Sequence, residues 1–174
     1  FYPKLQALFP ERLGSVSADE FYRAINTVRP SFIRVEADEI TYNLHILLRF
    51  ELEVAVLEGS LKVADLPEAW NAKMQEYLGV TPPSDTLGVL QDIHWSGAQI
   101  GYFPTYTLGN VLSVQFFNQA LAQHPQIVDE MASGELGTLL GWLRENIHQH
   151  GRKFLPNELV RRVTGRPMDA QPYI

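Results

Sequence analysis

The sequence predicts an all-α protein of about seven helices with at most one short strand. Three observations carry that expectation. Apolar residues recur at helical spacing along most of the chain. Helix-start signals precede the runs at Ser17-Ala18-Asp19-Glu20 and Asp65-Leu66-Pro67-Glu68. Stop signals follow them at Gly59, Gly79, Gly151 and Gly165. No repeat, low-complexity run or linker divides the chain, so residues 1–174 read as a single helical domain.

Taken in order, Phe1 to Phe9 reads as a short helix ended by Pro10. Ser17 and Glu20 form a capping box, opening a helix that buries Phe21, Ala24, Ile25 and Val28 and stops before Arg29-Pro30. Ser31 to Val35 is β-branched and aromatic, and is either one strand or a lead-in to the next helix. A long, largely buried helix is expected from about Val35 to Leu57. The next begins at Asp65 as cap and places Trp70, Met74 and Tyr77 on one face. Pro104 opens a second core helix to Ala122, in which Gly109 would permit a close helix crossing. Short helices follow from Gln126 to Met131 and from Gly134 to His150, the latter burying Leu136, Leu139, Leu140, Leu143 and Ile147. Pro156 starts the last helix, and an extended tail follows Gly165.

Composition narrows the function classes. A hydrophobic content of 45% and a charged content of 20% are ordinary for a globular protein with a sizeable core. A net charge of −6 argues against nucleic acid as a partner. No apolar run approaches membrane-spanning length, which argues against a membrane protein. The absence of cysteine removes disulfides, thiolate metal ligands and thiol nucleophiles, and fits a cytoplasmic setting. The five histidines include no i, i+4 pair and no H-E-x-x-H, so no complete metal site is expected within these residues. There is no P-loop, G-x-G-x-x-G or G-x-S-x-G. The chain lacks an initiator methionine, as a processed product or a piece of a longer protein would.

Two stretches carry the polar chemistry. If the helix to Leu57 begins early, Arg34, Asp38, Thr41, His45 and Arg49 form a stripe roughly 80° wide at about 100° per residue. That stripe is either an internal Arg34–Asp38 ion pair with a hydrogen-bonded core histidine, or one wall of a polar cleft. The second stretch, Gly88-Val89-Leu90-Gln91-Asp92-Ile93-His94-Trp95, packs a carboxylate, an imidazole and an indole into four residues behind the turn Thr81-Pro82-Pro83-Ser84-Asp85. Asp92 and His94 cannot share a face of a regular helix, so both point inward only where the backbone is irregular or at a helix end. The plainer alternative makes Asp92 a helix cap beside a packed aromatic turn. The candidate cleft residues are thus Arg34, Asp38, His45, Asp92, His94, Tyr102 and Tyr106. They could bind a carboxylate and polarise a carbonyl, but they hold neither metal nor nucleophile to complete a hydrolysis.

Ile33-Arg34-Val35-Glu36-Ala37-Asp38 resembles the I-(R/A)-x-x-A-D motif, and Gly88 to Trp95 resembles G-x-x-Q-D-x-H-W. Both motifs belong to the carboxypeptidase Taq family of metal-dependent carboxypeptidases. Their order and their flanks, Glu39 to His45 and Gly101 to Tyr106, also match. The likeness runs to Arg161-Arg162-Val163-Thr164-Gly165. It implies the C-terminal portion of a neurolysin-like, zincin-type helical cleft peptidase that removes single residues from peptide C-termini. In that family the metal, zinc or cobalt, is held by H-E-x-x-H and H-E-S motifs upstream, which this sequence lacks, so the chain alone is expected to bind none and to be inactive.

The resemblance further implies roles. Arg34 would pair with the terminal carboxylate of a peptide substrate, and His94 would hydrogen-bond the substrate backbone near the scissile carbonyl, with Asp92 orienting it or a neighbouring group. Tyr102 and Tyr106 would donate to the developing oxyanion. Asp38 would hold Arg34 or a backbone group in place; His45 joins the substrate-binding set from its position on the polar stripe alone. A homodimer is expected. The alternative is a non-catalytic helical binding or interaction domain that retains these motifs.

Overall fold

The structure, a computed structural model, describes all residues 1–174 and contains nine α-helices, three short 3-10 turns and no strand. Its internal contacts separate it into two compact units, residues 1–107 and 108–174.

The first unit opens with α1 (Tyr2–Leu8) and α2 (Pro10–Leu13). Pro10 does more than end the first helix: it supplies the first position of the second, where its missing N–H costs nothing. Helix α3 (Ala18–Ile25) carries the expected capping box, with Ser17 accepting from the Glu20 N–H and Glu20 accepting from the Ser17 N–H. Its expected buried face is largely open. Phe21 stacks on Tyr2 at 4.9 Å, but Ala24, Ile25 and Val28 are exposed. The helix also stops short of Arg29. The Asn26 side-chain amide donates to the Tyr22 carbonyl and the Thr27 hydroxyl to those of Arg23 and Ala24, consuming the last carbonyls before Val28 can join.

No helix starts at Val35 and no strand forms at Ser31. Arg34–Glu36 is a 3-10 turn, and α4 runs from Tyr42 to Leu57. Asp38 sets that later start. Its Oδ1 accepts from the N–H groups of Ile40 (3.0 Å) and Thr41 (2.9 Å), and its Oδ2 accepts from the Thr41 hydroxyl (3.0 Å) and the Arg29 N–H (2.9 Å). These bonds fold residues 38–41 into a turn ahead of α4, and the N–H groups of the helix's own first turn go to main-chain carbonyls, that of Tyr42 to Asp38 and that of His45 to Thr41. The stripe expected on a single helix therefore does not exist.

Helix α5 (Leu66–Leu78) packs on α4 through Leu48, Leu52, Trp70, Met74 and Leu78. Burying each such side chain is worth about 1.5–3 kcal/mol. Asp65 does not cap α5 with its side chain. It ends the 3-10 turn Val63–Asp65 in the helical region (φ −94°, ψ −1°), not in the extended conformation from which a cap folds back. Gly79 closes α5 at φ +68°, a backbone that favours glycine. A largely irregular segment, residues 79–103, then leads to α6 (Pro104–Gln123).

The second unit packs Ala120, Ile127, Trp142 and Val163 from α6, α7 (Ile127–Ser133), α8 (Gly137–Asn146) and α9 (Pro156–Thr164). Trp142 is its anchor, with the indole N–H on the Gln123 Oε1 at 2.6 Å. Leu136 and Leu140, expected inside, are exposed, because α8 begins only at Gly137 and turns Trp142 inward instead. Gly109 makes no close crossing: a Cβ there would meet nothing within 4 Å. The tail turns back on Gln115, which donates to the Pro167 carbonyl (2.9 Å) and accepts from the Asp169 N–H (3.1 Å). No helix is long and apolar enough to cross a membrane.

Candidate functional site

The site lies within the first unit, where the irregular segment after α5 folds over α4. Gly88 allows the close fold: a Cβ there would stand 3.3 Å from the Ser84 carbonyl oxygen and 3.5 Å from the Trp70 ring. Gln91 then ties three strands of chain together. Its Oε1 accepts from the Arg34 N–H (2.9 Å) and from Arg49 Nη2 (2.8 Å), while its Nε2 donates to the Phe32 carbonyl (2.9 Å).

Asp92 sits between two arginines. Its Oδ1 accepts from Arg34 Nη2 (2.8 Å) and Nε (3.1 Å), and its Oδ2 accepts from Arg49 Nε (2.6 Å). It is a receptor for buried charge and not a helix cap. Burial alone would raise its pKa, but the hydrogen bonds and positive charge of Arg34 and Arg49 outweigh that and hold it below its ordinary value. Arg49 is fully buried, with its guanidinium 4.4 Å from the Trp70 ring centroid and Nη1 on the His45 carbonyl at 2.7 Å. Burial pushes its pKa down to about 10, against the pull of Asp92. It stays protonated at neutral pH, so two cations share one carboxylate and the cluster is net positive.

Arg34 forms the outer half of the cluster. Burial disfavours its charge, yet the Asp92 carboxylate more than compensates and raises its pKa. Nη1 donates to the Tyr42 hydroxyl (3.0 Å), and the guanidinium lies 5.0 Å from the Tyr106 ring centroid. These bonds occupy three of its N–H groups. A guanidinium has five, so one remains on each terminal nitrogen.

His94 also points inward, as an irregular backbone allows. Its Nε2 lies 3.0 Å from the Tyr106 hydroxyl, and its ring packs against Phe103 at 4.4 Å and Tyr102 at 5.4 Å. Nδ1 is 3.8 Å from Asp92 Oδ1, beyond hydrogen-bond reach. Burial lowers the His94 pKa, favouring the neutral ring. Tyr102 is 45% exposed, at the rim. Burial raises the Tyr106 pKa, so its hydroxyl stays protonated.

The structure thus gathers Arg34, Asp92, His94, Tyr102 and Tyr106. Asp38 makes no ion pair with Arg34; its carboxylate holds backbone groups, accepting from the Arg29, Ile40 and Thr41 N–H in the turn before α4. His45 is fully buried with both ring nitrogens unpartnered, so it presents no open face. Burial, with the positive charge of Arg49 and Arg34, drives its pKa down to about 4 and leaves it neutral. Three contributors lay outside the expected set: Gln91, Tyr42 and Arg49 as the inner partner of Asp92. Arg49 carried a signal, since a charge on a buried helix must find a partner.

The family model described as carboxypeptidase Taq (M32) metallopeptidase matches residues 1–174. This chain belongs to that family. It is 49% identical over its whole length to thermostable carboxypeptidase 1 of Thermus thermophilus and 42% identical over 98% of its length to carboxypeptidase 1 of Bacillus subtilis. Each alignment covers 34% of the relative, so the chain spans about a third of the length of those proteins. Among solved structures, an M32 carboxypeptidase from Deinococcus radiodurans superposes with a TM-score of 0.93 at 48% identity, covering 99% of this chain and 35% of that one. Trypanosoma cruzi metallocarboxypeptidase 1 superposes with a TM-score of 0.90 at 36% identity, covering 98% and 36%.

A metallopeptidase family implies a divalent metal. The donors gathered in this M32 chain do not fit one. No three of its histidine, aspartate or glutamate side chains converge on a point. Both Asp92 oxygens are taken by arginines, His94 Nε2 is engaged with Tyr106, and His45 lies in the field of Arg49 and Arg34.

Proposed function

We propose that these residues form the substrate-side wall of a metal-dependent carboxypeptidase that releases single residues from peptide C-termini. The carrying observation is Arg34: a guanidinium fixed by Asp92 and Tyr42, with an unengaged N–H on each terminal nitrogen and aromatic rings around it. Two such donors match the two oxygens of a terminal carboxylate. The net positive charge of the Arg34–Asp92–Arg49 cluster favours an anion beside it. Asp92 thereby serves Arg34 directly and His94 only through its charge.

His94, neutral and with Nδ1 buried, hydrogen-bonds the substrate backbone by exchanging the Tyr106 hydroxyl for it at Nε2. The Tyr102 hydroxyl at the rim donates to charge developing on the scissile carbonyl. The metal, zinc or cobalt, is held by residues beyond this chain. A cytoplasmic homodimer acting on peptides completes the assignment.

Arg34→Ala in the full-length enzyme tests it. Losing a charge-assisted pair of hydrogen bonds worth about 3 kcal/mol lowers kcat/KM by roughly 100-fold. An unchanged kcat/KM would remove Arg34 from the substrate site.

A further inference from the structure

We infer that Glu53 is a positioning residue for the His94–Tyr102 wall, acting by clamping both ends of the loop between them onto α4. Glu53 lies one turn beyond Arg49 on α4 and is 5% exposed. Its Oε2 accepts from the Trp95 indole N–H at 2.7 Å, and its Oε1 accepts from the Gly101 backbone N–H at 2.7 Å. Trp95 directly follows His94, and Gly101 directly precedes Tyr102. One carboxylate therefore pins the residues adjoining two site side chains.

The pinned loop needs a clamp. Ala98 has φ +57° and Gly101 φ +73°, and a left-handed backbone at a residue bearing a Cβ persists only where its surroundings impose it. The Gln99 N–H returns to the His94 carbonyl at 2.9 Å, so the loop is rooted on the residue it must position. Trp95 in turn meets Trp70 and Phe103 edge-on at 6.2 and 5.5 Å, and Phe103 supports the His94 ring. Displacing the Trp95 indole therefore displaces the floor under His94. Arg34 is fixed separately by Asp92, Gln91 and Tyr42, so the carboxylate pocket survives loss of the clamp.

This inference rests on the carboxypeptidase assignment, and the test separates the two. In the full-length enzyme, Glu53→Ala lowers kcat by roughly 100-fold, the scale of a misplacement of about 1 Å, while KM changes less than about 3-fold. Glu53→Gln, which keeps one acceptor oxygen, falls between Glu53→Ala and wild type and serves as the measured variant if Glu53→Ala does not fold. In the same variant the Trp95 indole N–H resonance, assigned with Trp95→Phe, moves upfield as its acceptor weakens. A kcat within about 2-fold of wild type, or a loss carried by KM, overturns the inference. Arg34→Ala, measured alongside, decides the carboxypeptidase assignment: if it alone is impaired, only the role of Glu53 falls.

Discussion

Arg34 and Asp92, 58 residues apart in sequence, meet through two hydrogen bonds of 2.8 and 3.1 Å to a single carboxylate oxygen. The other oxygen of Asp92 belongs to Arg49. The arrangement leaves Arg34 anchored along one edge, which is what a carboxylate receptor needs if it is not to be neutralised by its own support.

Asp92→Asn should be strongly destabilising. It keeps the shape but leaves Arg34 and Arg49 as buried cations without a counter-charge, a loss of about 3–5 kcal/mol. Urea unfolding of the wild type and variant checks this. A difference below about 1 kcal/mol would mean that water reaches the cluster and screens it.

The same pair gives stability an acid limit. The folded pKa of Asp92 lies below its ordinary value of 3.8, so its contribution is complete above that pH and is lost as the pH falls through the folded pKa. His45 acts in a higher window. Its folded pKa of about 4 lies below its ordinary 6.5, so the unfolded chain takes up a proton first and stability declines as the pH falls from about 6.5 to about 4. His45→Phe should flatten that interval and leave the steeper loss below 3.8 in place. Thermal unfolding across the range reads both, and an unaltered slope in His45→Phe would contradict the assignment.

At neutral pH, His45→Phe should cost little or even stabilise. The ring is buried with both nitrogens unpartnered, and replacing a polar group without hydrogen bonds by an apolar one of similar shape removes a desolvation penalty of about 1–3 kcal/mol. A drop in melting temperature of more than about 5 °C would show that a nitrogen has a partner, since about 1 kcal/mol corresponds to roughly 2–4 °C in a chain of this size.

Ser17→Ala should remove one arm of the capping box and cost about 1 kcal/mol. The loss is local, because α3 buries no residue completely. Faster amide exchange at Glu20 and Phe21, with the site unaffected, is the expected result. Equal loss of protection across α4 would show instead that α3 supports the core.

Local chemistry made much of the fold legible. The capping box at Ser17, the glycine stop at Gly79 and the proline starts at Pro104 and Pro156 all depend on residues within a few positions of one another. The misses depend on something else. Periodicity ran α4 back to Val35 because nothing in the apolar pattern shows that Asp38 spends its carboxylate on Thr41 and Ile40. Ile25 has helical spacing, but spacing does not say whether a partner covers it. The site divides the same way. The two motifs placed Arg34, Asp92 and His94, whereas Gln91 as a three-way tie and Glu53 as a clamp depend on contacts 42 to 59 residues apart.

The most direct test of the carboxylate wall is a cycle in the full-length enzyme: a peptide and its C-terminal amide, each with wild type and Arg34→Ala. If Arg34 reads the terminal carboxylate, the wild type prefers the free acid by roughly 100-fold in kcat/KM, and Arg34→Ala loses most of that preference while treating the amide much as the wild type does. If the preference survives in a folded Arg34→Ala enzyme, the terminal carboxylate is bound elsewhere and Arg34 does not read it.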